Sequence, residues 1–419
     1  MVSTINSSNK RVLENNSDDE AHTSKRVKID DGVDENESEV EEEEEEKVDT
    51  NKVTAKDMQV AKETAELFKS NIFKLQIDEL LINVKLPEKH ILKMEKFLHK
   101  LYDLLQEIPE WGSEKTLSEV EQFFQDKTTS IPFVDPKPLA HNTNYKFGFL
   151  KPSSVSLVGS FALKSAIYQP TGSSIDVAVE IPEVLIEKKD FLNYRIIHKR
   201  SVYLAFLTHY LNVLLENNKL DKFIKLEYKY KNNDPLQPIL NISAIKEDAE
   251  SKKSNNKLST DFNFYKTKFN INILITYPEG IFDNKKLSPH RNSVRINKNS
   301  QQEENFVIPT PAYNFSVLSN CYQNHYLKYL HRTKKNTESF KEAMILARIW
   351  LYQRGFNSKF GNGFGSFEFS VLMTALLNGG GSTGNKILLH GFSSYQLFKT
   401  TIKYIATMDL SEKGYLQFN

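Results

Sequence analysis

The chain has 419 residues, of which 39% are hydrophobic, 11% aromatic and 26% charged, enough length and apolar content for about three packed domains. No apolar run reaches the roughly 20 residues that span a bilayer, and the N-terminus MVSTINSSNKRV lacks the apolar segment of a secretory signal, so neither an integral membrane nor a secreted protein is expected. The single cysteine, Cys321, rules out an intrachain disulfide and a cysteine-rich zinc site. The net charge of +1 hides an asymmetry. Residues 1–56 carry 8 Lys and Arg against 17 Asp and Glu, whereas residues 57–419 carry 47 against 37. An acidic tail thus precedes a basic body, and a basic body favours polyanionic partners.

In chain order, residues 1–56 contain Asn, Ser and Asp clusters and the run Glu41–Glu46, with too little apolar surface to offset the entropy of ordering; a disordered tail is predicted. Within it, Lys10-Arg11 and Lys25-Arg26-Val27-Lys28 are spaced like a bipartite nuclear address. Residues 57–130 read as N-terminal helices. Val60, Ala61, Thr64, Leu67, Phe68, Ile72, Leu75 and Leu80 keep helical spacing through 57–84. After Pro87, Ile91, Met94, Phe97, Leu98, Leu101, Leu105 and Ile108 form one stripe that Pro109 ends. Pro132, Pro136, Pro138 and Pro152 predict a stiff, extended connection over 130–153.

Residues 131–305 read as an α/β domain. Its strands are Ser154–Val158, Ile175–Ile181, Phe223–Tyr230, Ile239–Ile245 and Lys268–Tyr277, and a long helix covers 190–216. The polar stretch Lys246–Thr260 reads as a mobile loop. Residues 306–419 read as helical, over 311–333, 337–354, 366–378 and 393–408. Gly414–Asn419 reads as the start of another element, so the chain is expected to continue in a longer protein.

The most informative segment is Val158-Gly159-Ser160-Phe161, followed by Gly172-Ser173-Ser174-Ile175-Asp176. A strand ends in small residues that would let a phosphate approach a helix start, and the next strand carries Ser174 and Asp176. This resembles the nucleotidyltransferase superfamily of poly(A) polymerases and CCA-adding enzymes, whose Gly-Ser turn precedes a strand bearing Asp-x-Asp, with a third carboxylate on a later strand. Residues i and i+2 of a strand share a face. Two such carboxylates, with the third, can hold a pair of Mg²⁺ ions about 4 Å apart. Here Ser174 replaces the first acid, and the later strand offers Asn270 and Asn272. Glu180 shares the face of Asp176 but lies about 13 Å along the strand, too far to share a metal pair. Gly159, Ser160, Ser174, Asp176, Asn270 and Asn272 are therefore read as vestigial positions, with no catalytic residue, metal or cofactor expected.

Ala343–Gly355, with Trp350 and a closing Arg354-Gly355, resembles the helix of the poly(A) polymerase/oligoadenylate synthetase substrate domain, and Gly363-Phe364-Gly365-Ser366-Phe367 resembles its next element. With Phe133–Pro138, Lys188–Leu192 and Leu389–Phe398, these features resemble the Nrap family of nucleolar RNA-associated proteins over about residues 57–419. The resemblance implies an α/β, nucleotidyltransferase-like mixed sheet followed by an all-helical poly(A) polymerase-like domain, forming the N-terminal portion of a longer chain. It further implies a noncatalytic role in early ribosomal RNA maturation in the nucleolus. The implied partners are pre-rRNA, small nucleolar RNA and small-subunit processome proteins, including an RNA-recognition-motif protein and casein kinase subunits.

Phosphates need Lys or Arg, and unpaired bases stack on aromatic rings. The candidate RNA contacts are Lys188, Lys189, Arg195, Lys199 and Arg200 near the long helix. A second set is Lys328, His331, Arg332, Lys334 and Lys335 around Tyr326 and Tyr329. Gly379–Lys386 lacks the Lys-Ser/Thr end and the preceding strand of a P-loop, and the ten histidines form no ligand cluster. Two alternatives stay open: an active, template-independent RNA nucleotidyltransferase, and a protein-interaction module without RNA contact.

Overall fold

The computed structural model describes residues 55–68, 71–139, 143–169, 172–246, 263–295, 308–356, 364–379 and 386–408. The expected acidic tail, its basic clusters Lys10, Arg11, Lys25, Arg26 and Lys28, most of the loop after Lys246 and the segment from Gly414 lie outside the described residues. The stripe predicted over 57–84 forms two helices, α1 (Ala55–Phe68) and α2 (Asn71–Asn83). Pro87, with φ −60°, leads into α3 (Glu88–Glu107), which buries Met94, Phe97, Leu101 and Leu105 of the predicted stripe, and Leu104 beside them. Next come β1 (Gly112–Lys115), α4 (Leu117–Gln125) and β2 (Phe147–Phe149). The antiparallel β1–β2 pair is a departure from the extended connection expected over 130–153. A three-residue strand is too short for its alternation to show in sequence. Gly148 is required there, because a Cβ would overlap the Gly112 carbonyl.

The main sheet is built from β3 (Ser154–Val158), β4 (Ser173–Glu180), β5 (Ile224–Tyr230), β6 (Pro238–Ala244) and β7 (Phe269–Thr276). Its order is β3-β4-β7-β6-β5. Only β4 and β7 run parallel; the other pairs are antiparallel. The short α5 (Gly159–Ala162) follows β3, and α6 (Arg195–Asn217) links β4 to β5. Alternation gives the sheet two faces. Ile175, Val177, Val179, Ile271, Ile273, Ile275, Leu240 and Ile242 pack with α3, α4 and α6 in one core. In that core Phe149 stacks on Tyr203 and Phe206, at centroid separations of 4.5 and 4.6 Å. Each such pair adds about 0.5–1.5 kcal/mol beyond its area burial.

The expected 311–333 helix breaks at Tyr322 (φ −110°, ψ 11°) into α7 (Pro311–Cys321) and α8 (Gln323–Asn336). These are followed by α9 (Phe340–Gln353), α10 (Ser366–Asn378) and α11 (Ser394–Thr407). Tyr313, Val317 and Cys321 of α7 join the α/β core. Leu330, Phe340, Met344, Phe369, Met373 and Leu397 centre a second, helical core. The N-terminal helices divide between the two. α3 and α4 belong to the sheet, whereas Ala61 of α1 packs on the helical core and Phe73 of α2 meets Tyr395 edge-on at 4.9 Å. A mixed α/β half followed by helices is the architecture the sequence predicts. Among the described residues no helix is long and apolar enough to cross a membrane.

Candidate functional site

The second face of the sheet is half covered. Val158, Ala178, Ile239 and Leu274 form an apolar patch under Leu327 of α8. The rest of that face is polar and carries Ser174 and Asp176 on β4, Asn270 and Asn272 on β7, Asn241 on β6 and Lys229 on β5. Antiparallel pairing sets Val158 opposite Asp176, so the Gly159-Ser160 turn lies beside that carboxylate. Gly159 has φ +73°, and a Cβ on it would stand 3.2 Å from Asp176 Oδ2. Glycine thus meets both a left-handed backbone and a close approach.

Parallel register sets Asn270 beside Ser174 and Asn272 beside Asp176. A polar ladder then crosses four strands. Asn272 Nδ2 donates to Asp176 Oδ1 (2.9 Å), Asn241 Nδ2 donates to Asn272 Oδ1 (2.8 Å), and Lys229 Nζ donates to Asn241 Oδ1 (2.8 Å). Two neutral amides therefore join a carboxylate to an ammonium. These donors do not suit a magnesium pair. Mg²⁺ takes oxygen ligands in octahedral geometry, and here one oxygen of the lone carboxylate already accepts an amide N–H. No three His, Cys, Asp or Glu residues converge among the described residues. Glu180 lies at the other end of β4, where its Oε1 accepts from Ser153 Oγ (2.6 Å).

Two cations are coupled to Asp176, and the first of them, Lys231, is also coupled to Glu368 and Asp234. Burial pulls the Lys231 ammonium down, and Asp176 is the largest opposing influence. Burial likewise disfavours the Arg348 guanidinium, which Asp176 again offsets. Arg348 comes from α9 of the helical half and donates to Ser366 Oγ (3.3 Å). Lys229, Lys231, Asn241 and Arg348 are absent from the sequence-derived set. The one available signal was Asn241, a polar residue in the middle of an otherwise apolar strand.

The candidate RNA contacts separate by burial. Lys188 and Lys189 are exposed in the turn before α6. Arg195 is half-buried, 5.5 Å from the Tyr145 ring centroid. Lys199 and Arg200 are corrections to the expected surface, since they are only 8% and 2% exposed. Lys199 Nζ donates to Asp190 Oδ2 (2.6 Å) and to the Leu185 carbonyl (3.1 Å), and Arg200 Nη2 donates to the Leu236 carbonyl. The reason is that α6 is enclosed nearly all round, every residue from Ile196 to Thr208 being buried. Its cations are internal ties to carboxylate and carbonyl groups. On α8, Lys328, His331, Arg332 and Lys335 are exposed. Lys334 is half-buried, with its Nζ on the Leu163 carbonyl (3.1 Å).

The sheet order, the Gly-Ser turn leading into α5 and the Ser-x-Asp strand define a nucleotidyltransferase-like fold joined to a helical domain. The family description "Nrap protein domain 1" matches residues 114–336, more than half of the chain, and "Nrap protein PAP/OAS-like domain" matches residues 339–419. The chain belongs to the Nrap family. It is 61% identical over 376 residues to U3 small nucleolar RNA-associated protein 22 of Saccharomyces cerevisiae, covering 88% of this chain and 30% of that protein. It is 33% identical over 365 residues to nucleolar protein 6 of Xenopus laevis, covering 86% of this chain and 28% of that protein. The chain thus spans less than a third of the length of these relatives. A solved structure of the Cid1 poly(U) polymerase overlaps it at TM-score 0.40 and 11% identity, over 81% of this chain and 75% of that one.

Proposed function

We propose that this chain is a noncatalytic, nucleotidyltransferase-like part of a nucleolar ribosome-biogenesis factor. It works in early pre-rRNA processing within the small-subunit processome and holds RNA and partner proteins there. The names of the two relatives support the nucleolar setting and the association with a small nucleolar RNA. Its partners on this reading are pre-rRNA, small nucleolar RNA and processome proteins, an RNA-recognition-motif protein and casein kinase subunits among them.

One observation carries the noncatalytic reading: Asn272, on the strand where the third acid belongs, donates an amide N–H to Asp176. Nucleotidyl transfer stabilises the attacking and leaving oxygens with two metal ions. A carboxylate that accepts an amide N–H and is coupled to Lys231 and Arg348 has its charge balanced by side chains instead. The test is incorporation of labelled nucleoside triphosphates into an RNA primer with Mg²⁺ or Mn²⁺. The expected result is no extension above background for either the unaltered protein or Asp176→Ala. Template-independent extension that Asp176→Ala abolishes would sink the reading.

A further inference from the structure

The exposed cations of α8 form a stripe. Lys328, Arg332 and Lys335 lie at i, i+4 and i+7, which places them on one face over about 10 Å of helix. The opposite face holds Leu327 on the sheet and Leu330 in the helical core. From Pro311 to Thr337 there is no Asp or Glu. A solvated helix face ordinarily mixes both signs, and like charges at i+3 and i+4 destabilise a helix on their own. A polyanion reverses that sign.

A second cationic group adjoins the C-terminal end of α8, on the side of Leu327 and Leu330. Lys334 Nζ reaches the carbonyl of Leu163, next to Lys164. Burial lowers the affinity of Lys334 for its proton, and the charges of Lys164 and Lys341 lower it further, with no acid among the influences. Lys164 belongs to the α/β half and Lys341 to the start of α9, so the cluster bridges the two halves. No described carboxylate pairs with Lys164, Lys328, Arg332, Lys334, Lys335 or Lys341. Glu279, at the other end of α8, pairs with His325 at 2.9 Å, and the exposed Glu338 and Glu342 follow the helix at its C-terminal end. On the flank near that end, Tyr326 meets Phe367 edge-on at 5.3 Å, and Phe367 is 44% exposed.

We infer that the outer face of α8 carries single-stranded RNA. Its phosphates run over Lys328, Arg332 and Lys335 towards Lys164 and Lys341, and an unpaired base can stack on the exposed Phe367. The inference rests on the RNA-binding part of the function proposed above and assigns it to one surface. Cations track the backbone and aromatic rings take bases, the combination that serves single strands.

The test is anisotropy of a labelled oligouridylate titrated with the whole chain across a series of NaCl concentrations. Each phosphate contact on a single strand contributes about 0.7 to the slope of log affinity against log salt. Combined Lys328→Gln, Arg332→Gln and Lys335→Gln should therefore lower that slope by about 2, and Lys164→Gln with Lys341→Gln by about 1.4. Lys89→Gln with Lys96→Gln, two exposed lysines of α3 outside every candidate set, should leave it unchanged. All these side chains except Lys334, which is left intact, are exposed, and circular dichroism confirms that each variant keeps its fold. An unchanged slope in the triple variant overturns the assignment. So does tighter binding of duplex RNA than of the single strand, or displacement of the probe by poly-glutamate at equal charge. If the unaltered chain binds no oligouridylate, the surface and the RNA part of the proposed function both fall. The noncatalytic part is decided separately by nucleotide incorporation.

Discussion

The imidazole of His198 is held between two partners, donating from Nε2 to the Pro136 carbonyl (2.9 Å) and accepting at Nδ1 from the Tyr145 hydroxyl (2.5 Å). That pattern requires the neutral ring. Burial lowers its pKa to about 4, the Pro136 hydrogen bond opposing, and burial raises Tyr145 to about 12, so the phenol keeps its proton. The folded value lies below the unfolded one. The stabilisation is therefore complete above about pH 6.5 and is lost as pH falls through 4, at about 1.4 kcal/mol per unit, on the order of 3 kcal/mol in all. Urea unfolding followed from pH 7 down to about pH 4 should show this loss, and His198→Gln should remove most of it. The next two residues of α6, Lys199 and Arg200, obey the same physics. A cation in that enclosed helix needs an internal acceptor, and each has one.

At the level of elements, the strand periodicity of β4 and β7 was legible, and so was the loss of acids at Ser174, Asn270 and Asn272. The ladder itself was not, because it depends on which strands are neighbours. Asn241 and Asn272 are 31 residues apart and touch only because β6 and β7 pair in that register. The ladder makes a prediction about charge. Asn272→Asp would set a second carboxylate at hydrogen-bond distance from Asp176, replacing an attraction by repulsion between like charges. Stability at neutral pH should fall by about 1–3 kcal/mol and recover partly in mild acid or with Mn²⁺. Denaturant melts with and without the ion read this out, and an unchanged midpoint would show that the strands do not hold this register. The long helix illustrates the reverse case. A helix of a globular protein ordinarily buries one apolar stripe, yet the fold wraps this one on nearly every side, which no single-helix pattern reveals.

Across the whole molecule the two cores share elements that are distant in the chain. α1 and α2 start the described chain and lie with the last helix, while α7 leaves the helical region to close the α/β core. Cys321, the sole cysteine, stands at the end of α7 and is 5% exposed, and burial pushes its thiol up to about 12. Thiolate is the reactive form, so the native protein should react with a thiol reagent only through opening of that core. In rising urea the labelling rate of Cys321 should follow the unfolding transition seen by circular dichroism. Rapid labelling at zero denaturant would mean that α7 is not packed as described.

The amino-acid sequence by itself determined the class of fold, most element positions and the missing acids, because periodicity, turn residues and local motifs are written in short windows. It also marked the family, through long runs such as Ala343–Gly355. Only the tertiary structure decided which cations are solvent-facing and which are internal, that two amides bridge Asp176 to Lys229, and that Lys334 of α8 reaches the Leu163 carbonyl beside Lys164. Each of these depends on contacts between segments tens to hundreds of residues apart. Burial and long-range pairing are properties of the packed chain and leave no local pattern behind.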